Sequence, residues 1–224
     1  MIEALPNGMS FVANDCVMDR RHLLSLITGP NMAGKSTYLR QTALLILMAQ
    51  SGLFVPCDSM VLSIFDAIFV RFGSNDALFK DESTFMLEMK ETAHILRAAT
   101  SRSLIVMDEI SKSTAPKEGQ AIAEGVIKYI HDRIGCRCLF STHFHECCAL
   151  EVALEQLRCH HMRTEEVGEG AAATIRFTHK LVEGACSHSH ALYIAKLAGI
   201  PQRVLDDAQR KVKGNDTKEI SDAK

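Results

Sequence analysis

The chain has 224 residues, 25 of them basic and 27 acidic, for a formal charge of -2, and 47% of its residues are hydrophobic. Length and apolar content admit one large domain, or one domain with a small appendage, around a real core. The balanced charge excludes an autonomous electrostatic grip on nucleic acid, and no apolar run approaches the roughly 20 residues of a membrane span, so no membrane partner is expected.

From the N-terminus, Met1 to Gly8 lacks a basic region followed by an apolar core, so no secretory signal is read there. An intracellular setting is expected, with the eight cysteines as thiols. Leu23 to Thr28 is a short apolar run that stops at Gly29-Pro30, and good helix formers follow from Lys35 to about Gln50. The order is strand, tight loop, helix. Gly29-Pro30-Asn31-Met32-Ala33-Gly34-Lys35-Ser36-Thr37 fits the phosphate-loop pattern of Gly, four residues, Gly-Lys-Ser in that context. Its glycines let backbone amides turn toward phosphates, and the following helix presents its positive end. Lys35 reaches the outer phosphates, and Ser36 suits Mg²⁺, so ATP with Mg²⁺ is the expected ligand.

Met60 to Phe72 reads as strand-like, and Thr84 to Ala99 carries Phe85, Met89, Ala93 and Leu96 at helical spacing. Ser83 and Thr84 suit the cap of that helix. Leu104 to Met107 reads as a fully buried strand and ends in Asp108-Glu109, at the sheet edge where ligands of open α/β sheets gather. Asp108 is expected to help hold Mg²⁺, and Glu109 to orient and deprotonate the attacking water. Lys117 to Arg133 is a further amphipathic helix and Cys138 to Ser141 a further buried strand. His143, just past that strand, is expected to contact the γ-phosphate or the attacking water. Cys136, Cys138, His143, His145, Cys147 and Cys148 superficially suggest zinc, but the pattern from Cys136 to Thr142 is that of a buried strand.

Glu165 to Ala173 is acidic and rich in Gly and Ala, a surface loop or hairpin before the strand-like Thr174 to Phe177. His188 to Ala198 and Pro201 to Val212 read as two short helices separated by Gly199, and Gly214 to Lys224 as a disordered tail. Strands and helices alternate as a mostly parallel α/β sheet flanked by helices requires. The expected division is a core over 1–183, a helical module over 184–213 and the tail over 214–224.

On these motifs the chain, over nearly all of 10–213, resembles the C-terminal ATPase domain of the MutS family of DNA mismatch-repair proteins, a branch of the ABC-type ATPases. The specific pieces are Thr28 to Met32 with Gly34 to Thr37, Ser83-Thr84-Phe85-Met86 with Glu88-Met89, Met107 to Ile110, Thr142-His143-Phe144 and Leu197 to Pro201. The resemblance implies an ABC-type P-loop NTPase fold, Mg²⁺-dependent ATP hydrolysis, and a dimer with a second MutS-family subunit, identical or different. Each ATP site is then composite, with Ser83 and Thr84 reaching nucleotide held by the partner. It further implies that Asn31 contacts phosphate, that Phe11 stacks on adenine and that His179 lies near the same base. Phe11 and His179 also fit as ordinary core or rim residues. The segment from Cys186 to Lys213 is similar to the family's helix-turn-helix, used for dimer contacts; its apolar Leu192, Ile194, Ala195 and Leu197 do not suit base reading.

Two departures stand out. After Asp108-Glu109-Ile110 the family usually continues Gly-Arg-Gly-Thr-Ser, whereas this chain has Ser111-Lys112-Ser113-Thr114-Ala115, which puts coupling between the two ATP sites in doubt. Ala33 replaces a common Gly at an unconstrained position. The family's mismatch-reading regions would lie upstream, so mismatched DNA is expected as a partner only through domains outside this chain. A fragment is favoured over a short paralogue. Phe54 to Cys57 and Lys117 to Gly119 are similar to the fungal mitochondrial branch; the expected location is nucleus or mitochondrion if eukaryotic, cytoplasm if bacterial. The alternative function is a non-hydrolysing ATP-gated clamp or dimerisation module, as in recombination-type relatives. A transporter-type motor is disfavoured because Ser83-Thr84-Phe85-Met86 stands where Leu-Ser-Gly-Gly-Gln is expected.

Overall fold

A computed structural model of the chain describes residues 11–73, 83–167, 174–186 and 191–222, with backbone alone for 31, 166 and 213–222. The N-terminal segment read for a signal, the hairpin tip 168–173, the helix start at 188–190 and the last two tail residues lie outside the described residues.

Strand β1 (Leu24–Thr28) leads through a single 3₁₀ turn at Asn31–Ala33 into helix α1 (Lys35–Gln50). There follow β2 (Ile68–Arg71), α2 (Thr84–Ala98), β3 (Leu104–Asp108), α3 (Pro116–Tyr129), β4 (Arg137–Ser141), β5 (Leu157–Val167) and β6 (Thr174–Glu183). Helices α4 (Ala191–Leu197) and α5 (Gln202–Asp222) close the chain. The six strands form one sheet in the order β2-β3-β4-β1-β5-β6, and β1 to β5 pair in parallel.

Strand parity decides which side each residue serves. Leu24, Leu26, Ile105, Met107, Cys138 and Phe140 face one apolar layer with Ile95 of α2 and Ala123, Val126 and Ile127 of α3. Ile27, Leu104, Val106 and Leu139 face the opposite layer with Tyr38, Leu39 and Ala43 of α1. A sheet covered on both faces explains why β1 and β3 are buried at every position rather than at alternate ones. Cys136 and Cys138 therefore serve as core residues. The same period of two carries Asp108 and Ser141, which follow Val106 and Leu139, onto the α1 side.

Some boundaries differ from the sequence pattern. The strand expected from Met60 is confined to Ile68–Arg71, because Val61 and Ile64 are exposed and Gln50 instead pins the Phe65 backbone, its Oε1 accepting from Phe65 N at 2.5 Å. β5 carries no apolar run in the sequence; its Arg158, His160 and His161 mask a strand whose Leu157, Cys159 and Met162 are buried. The helix ending near Arg133 is α3 followed by a wider π-type turn at Ile130–Ile134. Helix α5 runs on to Asp222, through most of the stretch expected to be disordered, since each added residue of an established helix gains a hydrogen bond. The chain divides into two compact units, one within Met1–Glu165 and Arg176–Cys186, the other within Glu166–Ile175 and Ser187–Lys224. No helix among the described residues is long and apolar enough to cross a membrane.

Candidate active site

The loop between β1 and α1 is shaped by two left-handed glycines, Gly29 at φ 127° and Gly34 at φ 104°. Both backbone conformations are strained for residues with a Cβ. Gly34 also caps α1, contributing no side-chain bond of its own to the helix's first turn, which carries no acid. Those amides, at the positive end of a 16-residue helix, are suited to an anion.

Lys35, the first residue of α1, is only 1% exposed. Its Nζ donates to the Gly29 carbonyl oxygen at 2.6 Å and lies 3.2 Å from Glu109 Oε1. Burying an ammonium is costly unless it is paired, so this cation and Glu109 hold each other in place. Lys112 Nζ takes the other carboxylate oxygen, Oε2, at 3.0 Å. Burial alone would raise the Glu109 carboxyl, but Lys35 and Lys112 outweigh it and hold the group below the ordinary carboxylate range. Glu109 also sits at φ 52°, a left-handed conformation rare outside glycine, while its N–H donates to the Ser141 carbonyl at 3.1 Å.

Asp108 is buried at the end of β3 and accepts a short hydrogen bond from Ser141 Oγ, its register partner on β4. One carboxylate oxygen is thereby oriented. Ser36 is half-buried and Thr37 exposed at the start of α1. The residues present fit a Mg²⁺-nucleotide: backbone amides and a buried ammonium for phosphate, and a hydroxyl and a carboxylate as hard oxygen donors for the ion.

His143 follows β4 with its ring exposed and 4.1 Å from the Phe144 ring. Crowding by protein atoms holds its imidazole below the usual value, against the pull of Glu109, and the charges of Lys112 and Lys35 add to the lowering. His143 stands two residues past Ser141, whose carbonyl accepts from the Glu109 N–H. His179, in β6 at φ 55°, bonds through Nδ1 to the Ala33 carbonyl oxygen at 3.0 Å and so lies directly on the glycine loop. Its own carbonyl accepts from Asn14 Nδ2 at 2.8 Å. This ties the segment that begins at the exposed Phe11 to the edge of β6.

The structure thus gathers Gly29, Ala33, Gly34, Lys35, Asp108, Glu109 and His143 at the ends of β1, β3 and β4, with His179 beside them. Pro30 is half-buried and Met32 exposed on the rim; of Asn31 only the backbone is described. Ser83 and Thr84 are different. Ser83 caps α2, its Oγ accepting from Met86 N at 3.2 Å, as its sequence context suggests, and both side chains are exposed. No described contact joins either of them to Lys35, Asp108 or Glu109. Ser141 and Lys112 are further partners of the acidic pair; strand register carries the first, and i,i+3 spacing from Glu109 the second.

Three imidazoles tie stability to pH. Burial holds His22 low, aided by the neighbouring His160 and Arg158, and burial likewise holds His160 low; the two rings stack at 5.3 Å. With His143 they take up protons more readily in the unfolded chain. Their contribution is therefore complete above the free-imidazole value of about 6.5 and is lost as pH falls through it toward the lower folded values. The melting temperature is expected to fall from pH 7.5 to 5.5, and less so in His160→Gln. Calorimetry across that range checks both.

Residues 25–215 match the family described as MutS domain V. Among curated proteins, 208 residues (93% of the chain) are 45% identical to "DNA mismatch repair protein MutS" of Lactococcus lactis subsp. lactis, and the match covers 24% of that protein. Over 214 residues (95% of the chain) the identity is 46% to the protein of the same name from Lactobacillus delbrueckii subsp. bulgaricus and 44% to that from Lactobacillus helveticus, again over 24% of each. The chain spans about a quarter of the length of these relatives. All three are bacterial, so none speaks for the fungal mitochondrial likeness.

Proposed function

Because the chain belongs to the MutS domain V family, we propose that it is the ATP-hydrolysing dimerisation motor of a MutS-type DNA mismatch-repair protein, an ABC-type P-loop NTPase over 1–183. The observation that carries the reading is the buried Lys35 joined both to the glycine loop and to Glu109. A cation at that position, at the positive end of α1, matches what triphosphate recognition needs.

In this reading the amides of Gly29 to Thr37 and the Lys35 ammonium bind the phosphates, with Asn31 beside them. Ser36 and Asp108 hold Mg²⁺, which supplies charge neutralisation to the outer phosphates when bound. Phe11 and His179 border the adenine. Glu109 orients the attacking water and accepts its proton. Its two lysine partners make it a weak base, and engagement of Lys35 by phosphate withdraws one of those charges, which raises the proton affinity of Glu109 where the reaction needs it. His143, kept neutral near pH 7, orients the γ-phosphate or the water without adding charge.

Ser83 and Thr84 complete the nucleotide site of a partner subunit, consistent with their exposure at the positive end of α2. Residues 184–213 form the helix-turn-helix that pairs subunits, and the exposed Leu197, Ile200, Val204 and Val212 supply the apolar surface for it. Mismatched DNA is engaged by other domains of the assembly. For a bacterial source, as in these relatives, the setting is the cytoplasm.

The test is phosphate release from ATP by the purified chain, with and without Mg²⁺, beside light scattering with ATP and with a non-hydrolysable analogue. Mg²⁺-dependent release with an ATP-driven increase in mass is expected. One observation favours the non-hydrolysing clamp: both Glu109 oxygens are engaged by lysines. The ATP-driven mass increase without phosphate release would select that alternative, and no response to nucleotide would contradict both.

A further inference from the structure

Glu88 lies on α2, five positions after the capping Ser83, and is buried. Its Oε1 accepts from the backbone N–H of Ser111 at 2.6 Å, across 23 residues of chain, and the same oxygen stands 3.7 Å from Arg71 Nη2 at the end of β2. Ser111 has φ 63°, two residues past Glu109 at φ 52°, so the turn holding the proposed base contains two left-handed residues, neither of them glycine. Such turns persist only where the surroundings over-determine them. Ser111 is fully enclosed, its Oγ has no hydrogen-bond partner among the described residues, and a Cβ at Gly119 of α3 would stand 2.6 Å from its carbonyl oxygen. The peptide around Ser111 is therefore gripped by Glu88 on one side and the backbone of α3 on the other.

We propose that Glu88 is a positioning residue for hydrolysis: its carboxylate fixes the Glu109–Ser111 turn to α2 and so sets the carboxylate of Glu109 against the water it activates. The proposal rests on the hydrolytic reading above. It adds a mechanical link, since the helix that begins at Ser83, the residue assigned to the partner's nucleotide, and the turn that begins at Glu109 are fastened at one oxygen atom. Arg71 helps aim that oxygen, and the buried Arg71 guanidinium is itself balanced by Glu88 and by Glu91, 3.5 Å from Nε.

A purely structural ion pair and a positioning contact predict different things of two substitutions. Glu88→Gln and Glu88→Met both leave Arg71 without its buried counter-charge, but glutamine retains one oxygen able to serve Arg71 and the Ser111 N–H together, and methionine retains none. Turnover number and KM for ATP are measured in the full chain, with amide hydrogen exchange over 108–114 followed by mass spectrometry. Glu88→Met is expected to lower the turnover number roughly 10- to 100-fold with KM nearly unchanged, and to speed exchange over 108–114. Glu88→Gln stays within about fivefold of wild type. Adding Ser111→Gly to Glu88→Met recovers part of the loss, because glycine holds the left-handed turn without help. Equal losses in the Gln and Met variants, or no recovery with Ser111→Gly, overturn the proposal while leaving the hydrolytic reading intact. A wild-type chain that releases no phosphate overturns both.

Discussion

Glu109→Gln is expected to cut Mg²⁺-dependent ATP turnover by about 10² to 10⁴ while ATP binding survives. The expectation follows from what the amide keeps and what it loses. Glutamine has nearly the same shape, tolerates the φ of 52° about as well as glutamate does, and offers one oxygen to Lys35 or Lys112. It cannot take a proton from water. It also frees Lys35 from its ion pair, so the ammonium is at least as available to phosphate as before, and affinity holds or rises. Single-turnover hydrolysis beside equilibrium binding of a fluorescent ATP analogue separates the two effects. Turnover equal to wild type would remove Glu109 from the role of base.

Lys35→Ala acts on the other side of the same pair. Truncating one partner of a buried, hydrogen-bonded charge pair costs about 2–5 kcal/mol in complexes, and the phosphate contact is of that kind, so ATP affinity is expected to fall by roughly 30- to 5,000-fold. The chain also loses the link from the Gly29 carbonyl to Glu109, leaving that carboxylate to Lys112 alone. The loop at 29–34 keeps its glycines, the Ala33 N–H bond to the Pro30 carbonyl and the His179 contact to Ala33. Equilibrium titration reads the affinity, and a value unchanged from wild type would mean that Lys35 serves the fold and not the nucleotide.

What the residues announce in advance is what local chemistry encodes. Leu23 to Thr28 before Gly29, and Leu104 to Met107 before Asp108, are legible because a strand covered on both faces must be apolar throughout, and the helix from Lys35 because good helix formers follow a glycine. Ser83 is legible as a cap for the same local reason. Contacts set by the register of distant strands are not. Nothing near Asp108 in the chain points to Ser141, which meets it only because β3 and β4 pair in parallel. β5 is hidden in the sequence because its histidines and arginines lie between buried residues and break the apolar run. The departure at Ser111 was visible, but the means of tolerating it, Glu88 on another helix, required the packed structure. For Ser83 and Thr84, the proposed contact belongs to a second subunit.

The composite site is tested most directly by mixing two crippled chains, Lys35→Ala and Ser83→Ala, each expected to be nearly inactive alone. In a dimer of one with the other, both defects fall on one site and the second site is intact. With random pairing, half the dimers are mixed and each has one working site, so the equimolar mixture is expected to recover about a quarter of the wild-type rate. Activity that stays at the average of the two separate variants would show that Ser83 serves the nucleotide of its own chain or none, and would contradict the account.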